Sequence, residues 1–429
     1  MASTAAAPTQ FEAGAPGSMG DVRRGNLALV LGCIANSKPG THLTRAQIAA
    51  ATGLTKASVS SLVLDLLDSA VLKEIGLNPQ AERGRPGVGL GLNPARGVMG
   101  MEINVDYISA GLTDLAGNLL IRKTREQDNR DASPVFVQQA LACLAAEVRA
   151  MAEAQGVSVL GGGLAVPGLV DDKIGMVITA PNLGWNTVKL DLNVLLPNVP
   201  LGTTLFNEAN AAALAELRNR PAGYTDFLFV SGEVGVGSGL VIGSELFTGP
   251  HGHAGELGHV IVQPGGAPCS CGGTGCLETL AGQDAIFAAA GVSSVAFSKH
   301  RDAPRTQGGE GVYRSRSVRL AQLKSALLDG DAKALAAVAT AGNSLGIALA
   351  STIRILNISS VVLSGHFAVL ADWLRPALLG TLEEYAPGVV EPESVVFSNM
   401  GESGAILGAA ESVVRSIVDS PHRLADLNK

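Results

Sequence analysis

Four side chains of the kind that bind metals fall within eighteen positions of this chain: His259, Cys269, Cys271 and Cys276. They are threaded through Pro264, Gly265, Gly266, Pro268, Gly272, Gly273 and Gly275, residues that make the tight turns needed to aim four side chains at one centre. One imidazole with three thiolates suits a tetrahedral zinc ion, and four protein ligands leave no open position, so the spacing predicts a structural Zn2+ in a loop at 259–278. A pair of buried thiols beside an unrelated histidine is the plainer alternative. Disulfides are weaker still, because no secretory signal is seen.

With 429 residues the chain has room for two or three domains. The first 20 residues are rich in Ala, Gly, Pro and Ser and read as a flexible tail. Elsewhere no run of about 18 uncharged apolar residues appears, so no membrane span is expected and a cytoplasmic location follows. The net charge of −7 is uneven: residues 1–97 carry nine Lys/Arg against six Asp/Glu, and all of the excess acid lies beyond them. A mildly basic module on an acidic body points to a polyanion as partner of the small part only.

That basic module, residues 21–96, reads as helices followed by a hairpin. Leu27, Val30, Leu31 and Ile34 share a helical face; Thr44 caps a short helix from Arg45; Gly53 breaks it; Thr55 caps a third helix with Val59, Leu62, Val63, Leu66 and Leu67 inward. Helix, glycine turn, helix is the helix-turn-helix layout. Its outward face offers Thr55, Lys56, Ser58, Ser60 and Ser61, with Arg45 nearby, for major-groove edges and phosphates. Strands at 71–76 and 88–92 flank a basic tip holding Arg83 and Arg85, which makes the module a winged helix whose tip suits a narrow minor groove. A bare three-helix packing module with a solvated hairpin is the bland alternative.

From residue 97 strands alternate with helices, as expected of an α/β body with a covered sheet. Strands are expected at 98–103, 108–113, 157–166, 227–230, 239–242 and 360–364. Helices are expected at 136–154, from 207 to 218 and at 401–411. A segment at 293–319 reads as an exposed loop, and 413–429 as a tail.

Five segments carry a family resemblance: Ala165-Val166-Pro167-Gly168-Leu169-Val170-Asp171, Asn207-Glu208-Ala209-Asn210-Ala211-Ala212, the glycine run at 235–243, His253-Ala254-Gly255-Glu256-Leu257-Gly258-His259, and Cys269 through Glu278. Together with the winged helix, they resemble the ROK family (repressor, open reading frame, kinase), in its xylose-repressor-like regulator branch. The resemblance implies a two-lobed, actin-like (ribonuclease H-like) domain over 97–412 with a sugar in its cleft. It assigns sugar contacts to Asn207, Glu208, Glu256, His259 and Glu278, with Asn182 and Gly168 as additions. It also implies a double-stranded DNA operator, a small sugar or sugar-derivative effector, and a homodimer or homotetramer.

Family members that are sugar kinases need a glycine-rich turn for ATP phosphates and an aspartate base. Here that turn reads Glu102-Ile103-Asn104-Val105-Asp106, with both glycines gone and an acid added, and Glu208 stands where the kinases have aspartate. An extra methylene displaces a carboxylate by a bond length, and a misplacement of ~1 Å can cost ~100-fold. The expectation is a sugar-responsive repressor without catalysis. An active ATP-dependent, glucokinase-like enzyme with an appended DNA-binding module is the alternative.

Overall fold

The computed structural model describes residues 19–38, 40–77, 87–221, 223–292 and 316–425. The chain divides into two compact units, one running to Asn93 and joined by residues from Arg415 onward, the other Pro94–Val414.

The first unit opens with α1 (Met19–Ala35), α2 (Arg45–Thr52) and α3 (Lys56–Asp68), followed by β1 (Leu72–Leu77) and β2 (Val88–Leu92). Thr44 caps α2 in a reciprocal capping box with Gln47 and Thr55 caps α3, so both expected starts are present. Leu27, Val30, Leu31, Ile34, Ile48, Val59, Leu62, Val63 and Leu66 are buried and form the core of the unit. Leu67 is only half-buried. β1 and β2 pair antiparallel, Leu72 opposite Leu92, and Leu43 adds a bridge to Leu90. Arg83 and Arg85 lie outside the described residues, as does most of the expected 293–319 loop.

In the second unit, β3 (Arg96–Ile103), β4 (Tyr107–Asp114), β5 (Leu119–Glu126), α4 (Pro134–Ala154) and β6 (Ser158–Val166) lead to a small sheet of β7 (Leu169–Asp171), β8 (Met176–Ala180) and β9 (Trp185–Lys189). Then come α5 (Leu192–Leu195), β10 (Thr203–Asn207) and α6 (Glu208–Asn219). The second half runs β11 (Phe227–Gly232), β12 (Val236–Ile242), β13 (Glu245–Phe247), α7 (Glu278–Ala281), α8 (Gln283–Ala289), α9 (Arg316–Leu328), α10 (Ala332–Leu356), β14 (Val361–Gly365), α11 (His366–Val369), α12 (Ala371–Tyr385) and β15 (Val395–Phe397).

Two five-stranded sheets result, β5-β4-β3-β6-β10 and β13-β12-β11-β14-β15. In each, the first three strands pair antiparallel and the last two join in parallel. One topology thus occurs twice, which is the duplicated actin-like, ribonuclease H-like architecture. Each sheet has its own core. Met99, Met101, Ile108 and Leu112 meet Val137, Leu141, Leu144 and Val148 of α4, and Leu228, Val230 and Leu363 meet the α10–α12 layer through Leu345, Leu349 and Leu378. Burying each leucine contributes ~1.5–3 kcal/mol, so apolar burial of this kind outweighs any one polar contact below. Helices α4 and α10 are long and apolar enough to cross a membrane on length and composition alone; here both pack against protein, and they account for the apolar length.

α13 (Gly404–Asp419) and α14 (His422–Ala425) close the chain. The start of α13 presses on the second unit so closely that a Cβ on Gly408 would stand 1.5 Å from Ala211 O. Helices, not a tail, occupy 413–419 and 422–425: Val413, Val414, Ile417 and Leu424 are buried, and residues from 415 belong with the first unit, where a Cβ added to Gly32 would stand 3.7 Å from Val418 Cγ1. That stripe has helical spacing, a signal present in the sequence.

Candidate functional site

The ligand atoms of His259, Cys269, Cys271 and Cys276 all lie within 4.8 Å of one another. Local backbone bonds build this cage: Cys269 N donates to Gly273 O (2.8 Å), Gly272 N to Cys269 O (3.0 Å) and Gly275 N to Ala267 O (2.9 Å). Gly273 N also points at Cys271 Sγ, 3.4 Å away, and lowers that thiol's pKa. Burial, then the neighbouring Cys271 and Cys269, pushes the Cys276 thiol up to about 12, so a dication is what would hold it as thiolate. The Cys271–Cys276 Sγ separation is 3.7 Å and His259 Nδ1 stands 3.6 Å from Cys269 Sγ. Two thiolates on one tetrahedral ion stand about 3.8 Å apart, and a thiolate and an imidazole nitrogen about 3.5 Å. A disulfide needs about 2.05 Å. The donor set and spacing therefore suit a closed, four-coordinate metal site.

This loop forms one wall of an open cleft of about 700 Å³, solvent at its mouth included. Gly168, Asn182, Asn207, Glu208, Glu256, His259 and Glu278, all seven residues expected from the sequence, line it. Asn207 caps α6: its Oδ1 accepts from Asn210 N (2.9 Å) and its Nδ2 donates to Gly168 O (2.8 Å), which ties the β10–α6 junction to the turn before β7. Glu208 follows as the first residue of that helix. Burial in the cleft, then the charges of Glu102, Glu233 and Glu256, push its carboxyl up to about 8, against the pull of its backbone hydrogen bonding. Burial also raises Glu256, partly offset by His259 and His253.

Glu278, at the start of α7, joins two walls. Its Oε1 accepts from Ser270 Oγ in the metal loop (3.2 Å) and its Oε2 from Val236 N (3.1 Å). Gly235 is required beneath it, since a Cβ there would stand 2.1 Å from Glu278 Oε2. His259 turns Nδ1 toward the thiols and Nε2 toward Glu256 Oε2, 3.8 Å away. Sequence reasoning missed Asn104, Glu233, Ser238 and Ser270, which also line the cleft. Glu233 is the one acid in the glycine run at 232–239, and that signal was available.

The turn after β3 is closed by its own chain. Asp106, 2% exposed, meets Arg130 Nη1 at 2.8 Å, and Arg130 also meets Asp128 (3.1 Å) and, more loosely, Asp284 (3.9 Å). Burial alone would lower the Arg130 pKa, but Asp106, Asp284 and Asp128 outweigh it and hold the guanidinium charged. Asn104 N donates to Tyr107 O (2.9 Å) and Asp106 N to Asn104 Oδ1 (3.2 Å). Buried Glu102 accepts from Tyr107 Oη (2.8 Å) and Asn104 Nδ2 (3.2 Å).

In the first unit, Thr55, Lys56, Ser58, Ser60 and Ser61 are all exposed at the start of α3. Several already have partners. Thr55 Oγ1 accepts from Ser58 N (3.1 Å), Ser60 Oγ donates to Lys56 O (2.9 Å), Ser61 Oγ accepts from Arg23 (3.3 Å), and Arg45 pairs with Glu74 (3.0 Å).

A helix-turn-helix unit on one chain with a duplicated α/β fold, a carboxylate-lined cleft and a His/Cys3 loop defines the class. The model of the ROK family matches residues 98–415, and the chain belongs to that family. It is 27% identical over 406 residues to the xylose repressor of Bacillus spizizenii, covering 93% of this chain and 97% of that one. It is 32% identical over 254 residues to a glucokinase of Halalkalibacterium halodurans, covering 58% and 74%. The crystal structure of a ROK family transcriptional regulator, described as a homolog of the E. coli MLC protein, superposes with a TM-score of 0.72 at 23% identity over 94% of this chain and 99% of that one, a likeness of fold.

Proposed function

We propose that the protein is a sugar-responsive DNA-binding transcriptional regulator, a repressor of carbohydrate genes, whose kinase-like domain binds a sugar without phosphorylating it. The observation that carries the reading is the Asp106–Arg130 ion pair in the turn that a kinase would open to ATP phosphates. A carboxylate repels phosphate there, and the guanidinium that would attract it is already committed to acids. Glu208 supports the same reading by its length: the extra methylene displaces its carboxylate by about a bond length from where an aspartate base would hold it.

In this account His259, Cys269, Cys271 and Cys276 hold a structural Zn2+, which when bound fixes the loop carrying Ser270 and positions Glu278 and His259. Asn182, Glu208, Glu256, His259 and Glu278 meet sugar hydroxyls, while Asn207 and Gly168 shape the floor. Lys56, Ser58, Ser60 and Ser61 face DNA, assisted by Thr55 and Arg45 as framework residues and by Arg83 and Arg85 in the wing. A homodimer or homotetramer matches two-fold half-sites, and a DNA partner places the protein in the cytoplasm. Sugar alters DNA affinity through unequal binding to the two states of the regulator.

The second reading, an active sugar kinase, is favoured by the glucokinase likeness. A coupled ATPase assay over a sugar panel separates the two. No sugar-dependent turnover is expected, and turnover of order 1–100 s−1 overturns the non-catalytic reading.

A further inference from the structure

We propose that Arg130 and Asp284 clasp the two halves of the second unit together beside the cleft, and are positioning residues for a sugar that neither of them touches. The clasp bears on a sugar only if the cleft is the sugar site proposed above. Arg130 lies between β5 and α4 in the first half; Asp284 lies in α8, which packs with α10 in the second. Each is held from its own side. Arg130 Nη1 meets Asp106 (2.8 Å) and Asp128 (3.1 Å). Asp284 Oδ1 meets Arg319 Nη1 (3.1 Å), and that guanidinium lies over the Phe287 ring, 4.9 Å from its centroid. Arg130 Nη2 and Asp284 Oδ2 then face each other across the halves at 3.9 Å. At that separation the charges attract without a hydrogen bond. Closing by about 1 Å would make one, and opening by as much would weaken the attraction.

The clasp stands beside the line where the two walls of the cleft meet. There Val234 of the glycine run packs against the core of the first half, and a Cβ on Gly235 would stand 2.8 Å from Asn182 Nδ2. A chain neighbour ties each member of the clasp to that line. Asp131 N donates to Leu183 O (3.1 Å), next to Asn182, and Trp185 Nε1 donates to Ala132 O (2.9 Å). Gln283 N donates to Glu233 O (3.3 Å), next to Val234. Parting Arg130 from Asp284 therefore draws Asn182 away from Gly235 and Glu278. A sugar held between those walls is released sooner when they part, and its affinity falls.

Asp284→Asn in the zinc-loaded full chain tests this, because it keeps the shape of the side chain and removes its charge. Calorimetry with D-xylose and D-glucose as probes should show affinity about 3-fold weaker than the parent at about 0.05 M salt, the scale of a partly exposed pair. At about 0.5 M salt the two proteins should converge, since the pair is open to screening ions and the probes carry no charge. Asp284→Glu, which keeps the charge, should recover most of the loss. Hydrogen exchange without any sugar should be faster in Asp284→Asn at 181–184 and 233–236 and unchanged in α9. Equal affinity at low salt, or a loss indifferent to salt, overturns the clasp. So does unchanged exchange at 181–184, or faster exchange through α9, which would leave Asp284 as a partner of Arg319 alone. Silence of the parent toward both sugars overturns the sugar-site reading, a different failure, and the exchange experiment still decides whether the clasp exists.

Discussion

His259 Nδ1 lies 3.6 Å from Cys269 Sγ, so this imidazole faces the thiol cage with one nitrogen while its other nitrogen looks into the cleft toward Glu256. In the proposed function one ring would therefore couple metal to ligand. Cys271→Ser should lose bound zinc in elemental analysis, lower Tm by several degrees and weaken sugar binding at least ~10-fold, because a direct ligand of the cage that positions His259 and Glu278 is gone. A variant that keeps both metal and sugar affinity would remove the cage from the mechanism.

Glu278 holds Ser270 and Val236 together. Glu278→Ala should cost about 1–3 kcal/mol by leaving Val236 N without its acceptor, and should reduce sugar affinity by more than the zinc content. Chemical denaturation and calorimetry measured side by side give both numbers. Equal sugar affinity in the variant would make Glu278 a framework residue only.

Glu208 sets a pH dependence. Its carboxyl has an ordinary value of 4.5 and a folded value of about 8. Between these, the folded state holds a proton that the unfolded chain has released. Its contribution is full below about pH 4.5, declines as pH rises and is gone above about pH 8, with a slope of at most ~1.4 kcal/mol per unit, less because the side chain is partly open to the cleft. Raised Glu256 adds a contribution of the same sign. Glu208→Gln should flatten the fall of Tm between pH 5 and 8; an unchanged profile assigns that fall to other groups.

Asp106 is buried and Arg130 partly exposed, so Arg130→Ala should cost about 1–3 kcal/mol, below the range for wholly buried pairs. Adding Asp106→Asn should recover part of this loss in a double-mutant cycle. Neither change should create ATP turnover, because the rest of the turn remains closed. Sugar-dependent ATP hydrolysis in the double variant would show that the pair alone silences the enzyme.

Much of this was legible in the sequence because the relevant signals are local. Thr44 and Thr55 announce helix starts, Gly53 a stop, and the His/Cys spacing a cage whose atoms do converge. The seven cleft residues came from motif resemblance, and the fold brings them together from five separate loops and helix ends. What stayed hidden depends on distant pairing. Arg130 gives no sign of its partner Asp106 until β5 lies beside β4. Glu233 carries no local mark of its role, because glycines around an acid read as a turn. The helices after residue 412 stay hidden because their apolar stripe has its neighbours far along the chain: Val413 lies beside Gly161, and residues from Arg415 belong with the unit made mostly by the first 93 residues.

The central claim is that sugar in the cleft changes affinity for DNA. Fluorescence anisotropy of the full chain on a duplex selected by the protein from a random pool, at fixed salt, measures this directly, with and without a saturating sugar already shown by calorimetry to bind. The account predicts at least a ~10-fold change in Kd, a coupling of about 1.4 kcal/mol. A bound sugar that leaves the DNA Kd unchanged would contradict it.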